Sequence, residues 1–173
     1  LFMIKLKEGR SEVEKILEEY IDIPTLDSLP AHYLLADMSF SAFITTNYDR
    51  LLEKALEKNR KKFYTIIENL DVCRWKSTQL PYIKLHGCIT RPSGLIAAED
   101  EYRPISESKP LIAALMKTLL AQKSMLFLGF SLNDSDFKEI FQELKISLGN
   151  NMPRSYAVVH DCDDYHVAYW QEE

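Results

Sequence analysis

The 173-residue chain is 46% hydrophobic and 27% charged, ordinary values for a globular protein and enough length for one compact domain. A net charge of −5 and a pI near 5.5 argue against a module that grips nucleic acid through its own phosphate contacts. Cys73, Cys88 and Cys162 include no C-x-x-C pair, a spacing that supports neither a zinc knuckle nor a disulfide framework and fits a reducing compartment.

The longest apolar run, Leu111 to Phe130, is interrupted by Lys117, Gln122 and Lys123 and fails as a membrane span. Leu1 to Leu6 is too short for a signal peptide, so the cytoplasm is the expected location. The first residue is Leu rather than Met, and an upstream segment is expected for that reason. Within one domain the expected division is a helical lead-in over 1–39, a motif-bearing core over 40–160 and a tail over 161–173.

In chain order, Val13, Ile16, Leu17 and Tyr20 fall at helical spacing and predict a helix over Arg10 to Tyr20. A short helix is expected from Ala31 to Met38 after Pro30. Ser41 to Thr46 reads as a buried strand leading into a helix from Tyr48 to Lys58, with Leu51, Leu52, Ala55 and Leu56 on one face. Phe63 to Ile67 is another strand candidate.

Pro81 to Leu85 reads as a strand with Pro first, where a missing N–H does least harm. Ser93 and Gly94 mark a turn, Asp100 to Pro104 reads as irregular, and Pro110 to Ala121 as a helix. Ser124 to Leu128 is near-continuously apolar, the pattern of a strand buried on both faces. A helix from Ser135 to Leu148, stopped by Gly149, and a strand from Tyr156 to Val159 complete the reading. Strands alternating with helices predict α/β architecture with a largely parallel sheet and flanking helices.

In such sheets ligands bind beyond the carboxyl ends of the strands. The strand candidates end in Thr45-Thr46-Asn47 with Asp49 beyond, in His86-Gly87, in Gly129-Phe130-Ser131 and in His160-Asp161. If the strands are parallel neighbours, the four clusters share one sheet edge. Each cluster also has a plainer reading. Asn47 or Asp49, and Ser131, Asn133 or Asp134, would serve equally as helix caps. His86 would serve as a turn histidine and Gly129 as relief from crowding. The Asp- and His-bearing tail from His160 to His166 reads as solvated rather than metal-binding.

Taken in order, T-T-N-Y-D at Thr45 to Asp49, K-L-H-G at Lys84 to Gly87 and L-G-F-S-L-N-D at Leu128 to Asp134 resemble the successive motifs of sirtuin-like domains. A-A-E-D-E-Y at Ala97 to Tyr102 is similar to a segment of the prokaryotic branch, and the resemblance runs from about Phe40 to Val159. It implies a Rossmann-like fold that handles NAD. Asn47 then matches the asparagine that addresses the nicotinamide ribose and orders a water. Asp49 matches the aspartate near the carboxamide, and His86 the catalytic histidine. Thr45, Thr46, Gly87, Gly129, Phe130 and Ser131 match cofactor contacts, Gly129 and Ser131 toward the adenosine side, and His160 falls where the last strand nears the adenine.

Two departures stand out. The interval from Gly87 to Leu128 contains only Cys88, so the paired C-x-x-C zinc module of many sirtuins is absent and no metal is expected. Before Asn47 the sole glycine is Gly9, so the family's glycine-rich loop is missing. The resemblance implies an NAD⁺ hydrolase of prokaryotic antiviral defence, with NAD as substrate, attached or associated sensor domains, and a tendency to form homo-oligomers. No direct nucleic-acid or membrane partner is expected. The chain alone, lacking the phosphate-binding loop, is expected to be weak or inactive. The alternatives are an NAD-dependent protein deacylase, a non-catalytic NAD or ADP-ribose-binding module, and a structural α/β domain.

Overall fold

A computed structural model describes residues 9–21, 27–91, 94–96, 103–129 and 134–158. Phe130, Ser131 and His160, the A-A-E-D-E-Y segment, Ser93, Val159 and the 161–173 tail lie outside the described residues. Helices and parallel strands alternate as expected, giving an α/β fold of Rossmann-like character. The chain divides into two compact units, Leu1–Ile112 and Ala113–Glu173.

The first unit opens with α1 (Arg10–Ile21) and α2 (Pro30–Asp37). Along α1 the buried stripe is Val13 and Leu17, with Ile21 packed beside them, whereas Tyr20 is exposed. The helix therefore docks along an i, i+4, i+8 line, and the expected inward Tyr20 falls off it. Strands β1 (Phe43–Thr45), β2 (Phe63–Ile66) and β3 (Leu80–Lys84) form a parallel sheet in the order β1-β3-β2. Helix α3 (Leu51–Lys58) follows β1, and its Ala55 and Leu56 bury against Tyr82 of β3 and Ala36 of α2. It starts three residues later than the spacing predicts, with Arg50 as its N-cap and the Asp49 carboxylate taking the Leu51 N–H at 2.8 Å.

Pro81 is the second residue of the central strand rather than its first. Backbone N–H groups alternate sides along a strand. Leu80 donates toward β2 through the Lys62 carbonyl, and Leu85 donates toward β1 through Thr45. The missing N–H of Pro81 therefore points toward β1, whose pairing begins only at Phe43 opposite Tyr82, so no ladder bond is lost. Two short helices, α4 (Asn69–Arg74) and α5 (Ile105–Ser108), are too brief to show a periodicity in the sequence. Helix α6 (Pro110–Gln122) carries the boundary between the units.

In the second unit β4 (Leu126–Leu128) and β5 (Tyr156–Val158) pair in parallel, with α7 (Ser135–Leu148) between them in sequence. Asp134 caps α7 by accepting the Phe137 N–H at 3.0 Å, and the helix ends at Gly149. The expectation that β4 is buried on both faces is overturned. Phe127 is buried and stacks edge-on against Phe137, but Leu126 and Leu128 are exposed. Among the described residues of this unit α7 packs on the Phe127 face of the two-stranded sheet, and the alternate residues Leu126 and Leu128 face outward.

Candidate functional site

β1 and β3 pair with Phe43 opposite Tyr82, Ile44 opposite Ile83 and Thr45 opposite Lys84, and the Leu85 N–H donates to the Thr45 carbonyl at 2.9 Å. Because the strands are parallel neighbours, the two motifs leave the sheet at the same edge. Asn47 and His86 each stand two residues beyond a paired position.

In the T-T-N-Y-D turn, the Thr45 hydroxyl accepts the Asn47 N–H at 3.1 Å, and Asn47 is exposed. Thr46 and Asp49 are half-buried. Asp49 is not the N-cap of the helix, a position Arg50 takes with no side-chain cap bond, but its carboxylate accepts the Leu51 N–H from one residue further back. Tyr48 turns inward against the cluster of Val13, Leu17, Ile89 and Leu95, and its hydroxyl donates to the Ile96 carbonyl at 2.6 Å. The lead-in helix is thereby part of the site's support, because Arg10 also donates to the Leu95 carbonyl at 2.7 Å.

His86 is only 7% exposed, and its carbonyl takes the Ile96 N–H at 2.9 Å. Gly87 follows with φ at +95°, and a Cβ there would stand 2.4 Å from the Gly94 carbonyl oxygen. Two constraints, a left-handed backbone and a crossing chain, therefore require glycine after the histidine. Gly129, at the end of β4, has φ at +58° but open space around it. Its need is conformational, and the expected relief from crowding does not apply. It belongs to the second unit, and Phe130, Ser131 and His160 lie outside the described residues.

The sequence reading passed over the groups that hold this edge together. Lys84, on the same strand face as Tyr82, is completely buried. Its ammonium donates to the Glu53 carboxylate at 3.0 Å, to the Tyr48 carbonyl at 3.1 Å and to the Asp49 carbonyl, with the Cys88 thiol at 3.3 Å. Glu53, in the first turn of α3, is buried too, and its second oxygen accepts the Thr65 hydroxyl at 3.2 Å. Burial above all, then the nearby Glu53 and Asp49 carboxylates, pushes the Tyr82 phenol far up, so it stays protonated. Lys109, just ahead of α6, donates to the Leu85 carbonyl at 2.5 Å, one residue before His86. The available signal was a lysine inside the apolar run P-Y-I-K-L, since a charge on a central strand is retained only where it is paired.

Beyond His86, Cys88 bridges to Arg91, and Arg91 grips the buried Asp71 through two contacts of 3.1 and 2.5 Å. The same carboxylate accepts the Ile67 and Glu68 N–H groups at 2.9 and 3.0 Å, which ties the end of β2 to the turn after the histidine. Among the described residues no three His, Cys, Asp or Glu side chains gather in a way that would hold a metal. Among those residues, too, no helix is long and apolar enough to cross a membrane.

An α/β chain that brings T-T-N-Y-D and K-L-H-G to one end of two adjacent parallel strands has the layout of a Rossmann-like domain. The chain belongs to the SIR2-like domain family, whose model matches residues 41–173. It is 32% identical over 126 residues to the NAD(+) hydrolase ThsA of Cytobacillus dafuensis, covering 72% of this chain and 26% of that protein. To the NAD(+) hydrolase ThsA of Bacillus cereus (strain MSX-D12) it is 33% identical over 138 residues, covering 78% of this chain and 28% of that one. To the Defense-associated sirtuin 2 of Bacillus subtilis it is 32% identical over 132 residues, 73% of this chain and 13% of the relative. The chain thus spans about a quarter or less of the length of these curated relatives.

Proposed function

We propose that this chain is the NAD-handling domain of an NAD⁺ hydrolase that cleaves the nicotinamide–ribose bond, acting as an effector of prokaryotic antiviral defence. The observation that carries this reading is the shared edge of β1 and β3, from which Asn47 and His86 emerge at equivalent positions within a SIR2-like domain. The names of the relatives, NAD(+) hydrolase and defence-associated sirtuin, support the same substrate and setting.

The chemistry asks little of ionisable groups. Nicotinamide leaves NAD as a neutral molecule and needs no general acid. The site has to hold the ribose, stabilise a cationic sugar centre and deliver water to it. In this reading the His86 imidazole accepts a proton from a ribose hydroxyl or from water. Asn47 offers one donor and one acceptor to orient that water, which suits its exposed place in the turn. Asp49 addresses the carboxamide with the oxygen lone pairs that the Leu51 N–H leaves free. The resemblance further assigns cofactor contacts to Thr45, Thr46, Gly87, Gly129, Phe130, Ser131 and His160. No metal takes part.

Attached or associated sensor domains and self-association are the proposed partners, with release of the activity as their role. With no glycine-rich turn ahead of Thr45 to cradle the pyrophosphate, the 173-residue chain alone is proposed to bind NAD weakly and turn it over slowly or not at all. Incubating the full-length protein with NAD and quantifying nicotinamide, ADP-ribose and acyl-ADP-ribose tests the reading. Equal nicotinamide and ADP-ribose supports it. Product formed only with an acyl-lysine peptide would make the protein a deacylase, and binding without product would make it a regulatory module.

A further inference from the structure

We infer that the buried Lys84–Glu53 pair is the positioning element for Asn47 and His86, an assignment that rests on the hydrolase reading above. A buried ion pair placed only to fasten a helix to a sheet gains little over apolar side chains of the same volume. This one does something apolar side chains cannot. Besides the Glu53 carboxylate, the Lys84 ammonium holds the Tyr48 and Asp49 carbonyls, which belong to the turn between β1 and α3.

Asn47 sits between two restraints. Ahead of it the Thr45 hydroxyl takes its N–H, and behind it Lys84 holds the next two carbonyls. Lys84 itself lies two residues before His86 on β3, so one side chain ties the backbone of the asparagine turn to the strand that delivers the histidine. Glu53 fixes where the ammonium can sit, and Thr65 of β2 fixes Glu53 by donating to its second oxygen. The chain of contacts runs β2–α3–β3–turn and ends on the two groups proposed to do chemistry. Neither Lys84 nor Glu53 needs to touch NAD. Their effect is on the distance between the oriented water and the base, and a misplacement of about 1 Å in such a geometry is worth on the order of a hundredfold in rate.

The test is a cycle in the full-length protein, combining Lys84→Met/Glu53→Leu with Asn47→Ala. Removing both charges together avoids stranding either, so the fold is expected to survive as judged by circular dichroism and thermal melting. Nicotinamide release should show kcat down by about thirtyfold or more with KM within about threefold, the signature of lost transition-state geometry rather than lost binding. Asn47→Ala, costing about a hundredfold alone, should cost less than about threefold in the Lys84→Met/Glu53→Leu background, because the two changes disable one unit. General destabilisation would not produce that non-additivity.

Wild-type kcat in the folded pair variant, or an Asn47→Ala effect that is fully additive, overturns the inference. Should the pair variant not fold, Lys84→Gln, polar but too short to reach all the same acceptors, is expected to show the same split at about tenfold, and wild-type kcat there overturns it equally. If Asn47→Ala and His86→Ala leave turnover intact, or the wild type has none, the hydrolase reading falls and takes this inference with it. If those two abolish turnover while the pair variants do not, this inference falls alone.

Discussion

Thr45 and Lys84 face each other across the β1–β3 ladder, and one step on, the Leu85 N–H closes the ladder on the Thr45 carbonyl at 2.9 Å. Everything proposed about catalysis follows from what the two strands carry past that closure. Asn47→Ala and His86→Ala in the full-length protein should each lower NAD turnover by about a hundredfold or more, the scale of a positioned acid–base group. Their effects on folding should differ. Asn47 is exposed and its loss should leave the melting midpoint unchanged, whereas His86 is buried and its truncation should cost about 1–3 kcal/mol. Nicotinamide assays alongside thermal melts check both. A folded variant with normal turnover removes that residue from the mechanism.

Gly87→Ala should damage the site without touching a reacting group. A left-handed backbone at a non-glycine residue costs about 1–3 kcal/mol, and here a Cβ would also press on the Gly94 carbonyl at 2.4 Å. Each kcal/mol lowers the midpoint by about 2–4 °C in a domain of this size. Gly129→Ala provides the comparison, since it meets only the conformational term in open space. The melting midpoint should fall further for Gly87→Ala than for Gly129→Ala. Equal shifts would mean that the crossing chain at Gly94 gives way.

How much of this was legible beforehand depends on the kind of interaction. The helices were readable because α3 and α7 repeat apolar residues at a helical interval, and Leu56, Ile140 and Leu144 are indeed buried. Strand-end polar residues pointed to the edge shared by β1 and β3, since a motif at a carboxyl end is a local property. Lys84 stands in the sequence only as a motif letter, because its acceptors Tyr48, Asp49 and Glu53 lie more than thirty residues away. The outward faces of Leu126 and Leu128 were misread for the reverse reason. An apolar run shows that burial would be favourable but does not show that a second layer exists to provide it.

Asp71 predicts a specific acid sensitivity. Its burial alone would raise the carboxyl, yet the Arg91 guanidinium and the Ile67 and Glu68 N–H groups outweigh that and hold it below the usual carboxylate range. A depressed folded value means the ionised form is favoured by folding. The stabilisation is therefore fully present above the unfolded value of about 3.9 and is lost as pH falls through the lower folded value. Asp71→Asn should be destabilising by about 1–3 kcal/mol near neutral pH, less than for a fully buried pair because Arg91 is partly exposed. It should also flatten the loss of stability between about pH 4 and pH 2. Urea midpoints of both proteins across that range decide the matter. Parallel curves would show that the contact is not linked to protonation.

The last prediction concerns the second unit. In the β4–β5 ladder Leu126 pairs with Tyr156 and Leu128 with Val158, and strand alternation puts all four on the face opposite Phe127. All four are exposed, from 38% at Leu126 to 62% at Val158, while Phe127 on the other side packs against Phe137. Four adjacent apolar side chains turned to solvent make a patch of the kind that binds hydrophobic dyes and promotes association. Here the self-association expected of the isolated chain would begin. Leu126→Lys combined with Val158→Lys should lower the fluorescence of a bound hydrophobic dye and raise the concentration at which the 173-residue chain stays monodisperse in light scattering. Because neither side chain is buried, stability measured by thermal melting should change by no more than about 0.5 kcal/mol. Unchanged dye binding would place the sticky surface elsewhere. A large loss of stability would instead mean that this face is covered in the folded chain.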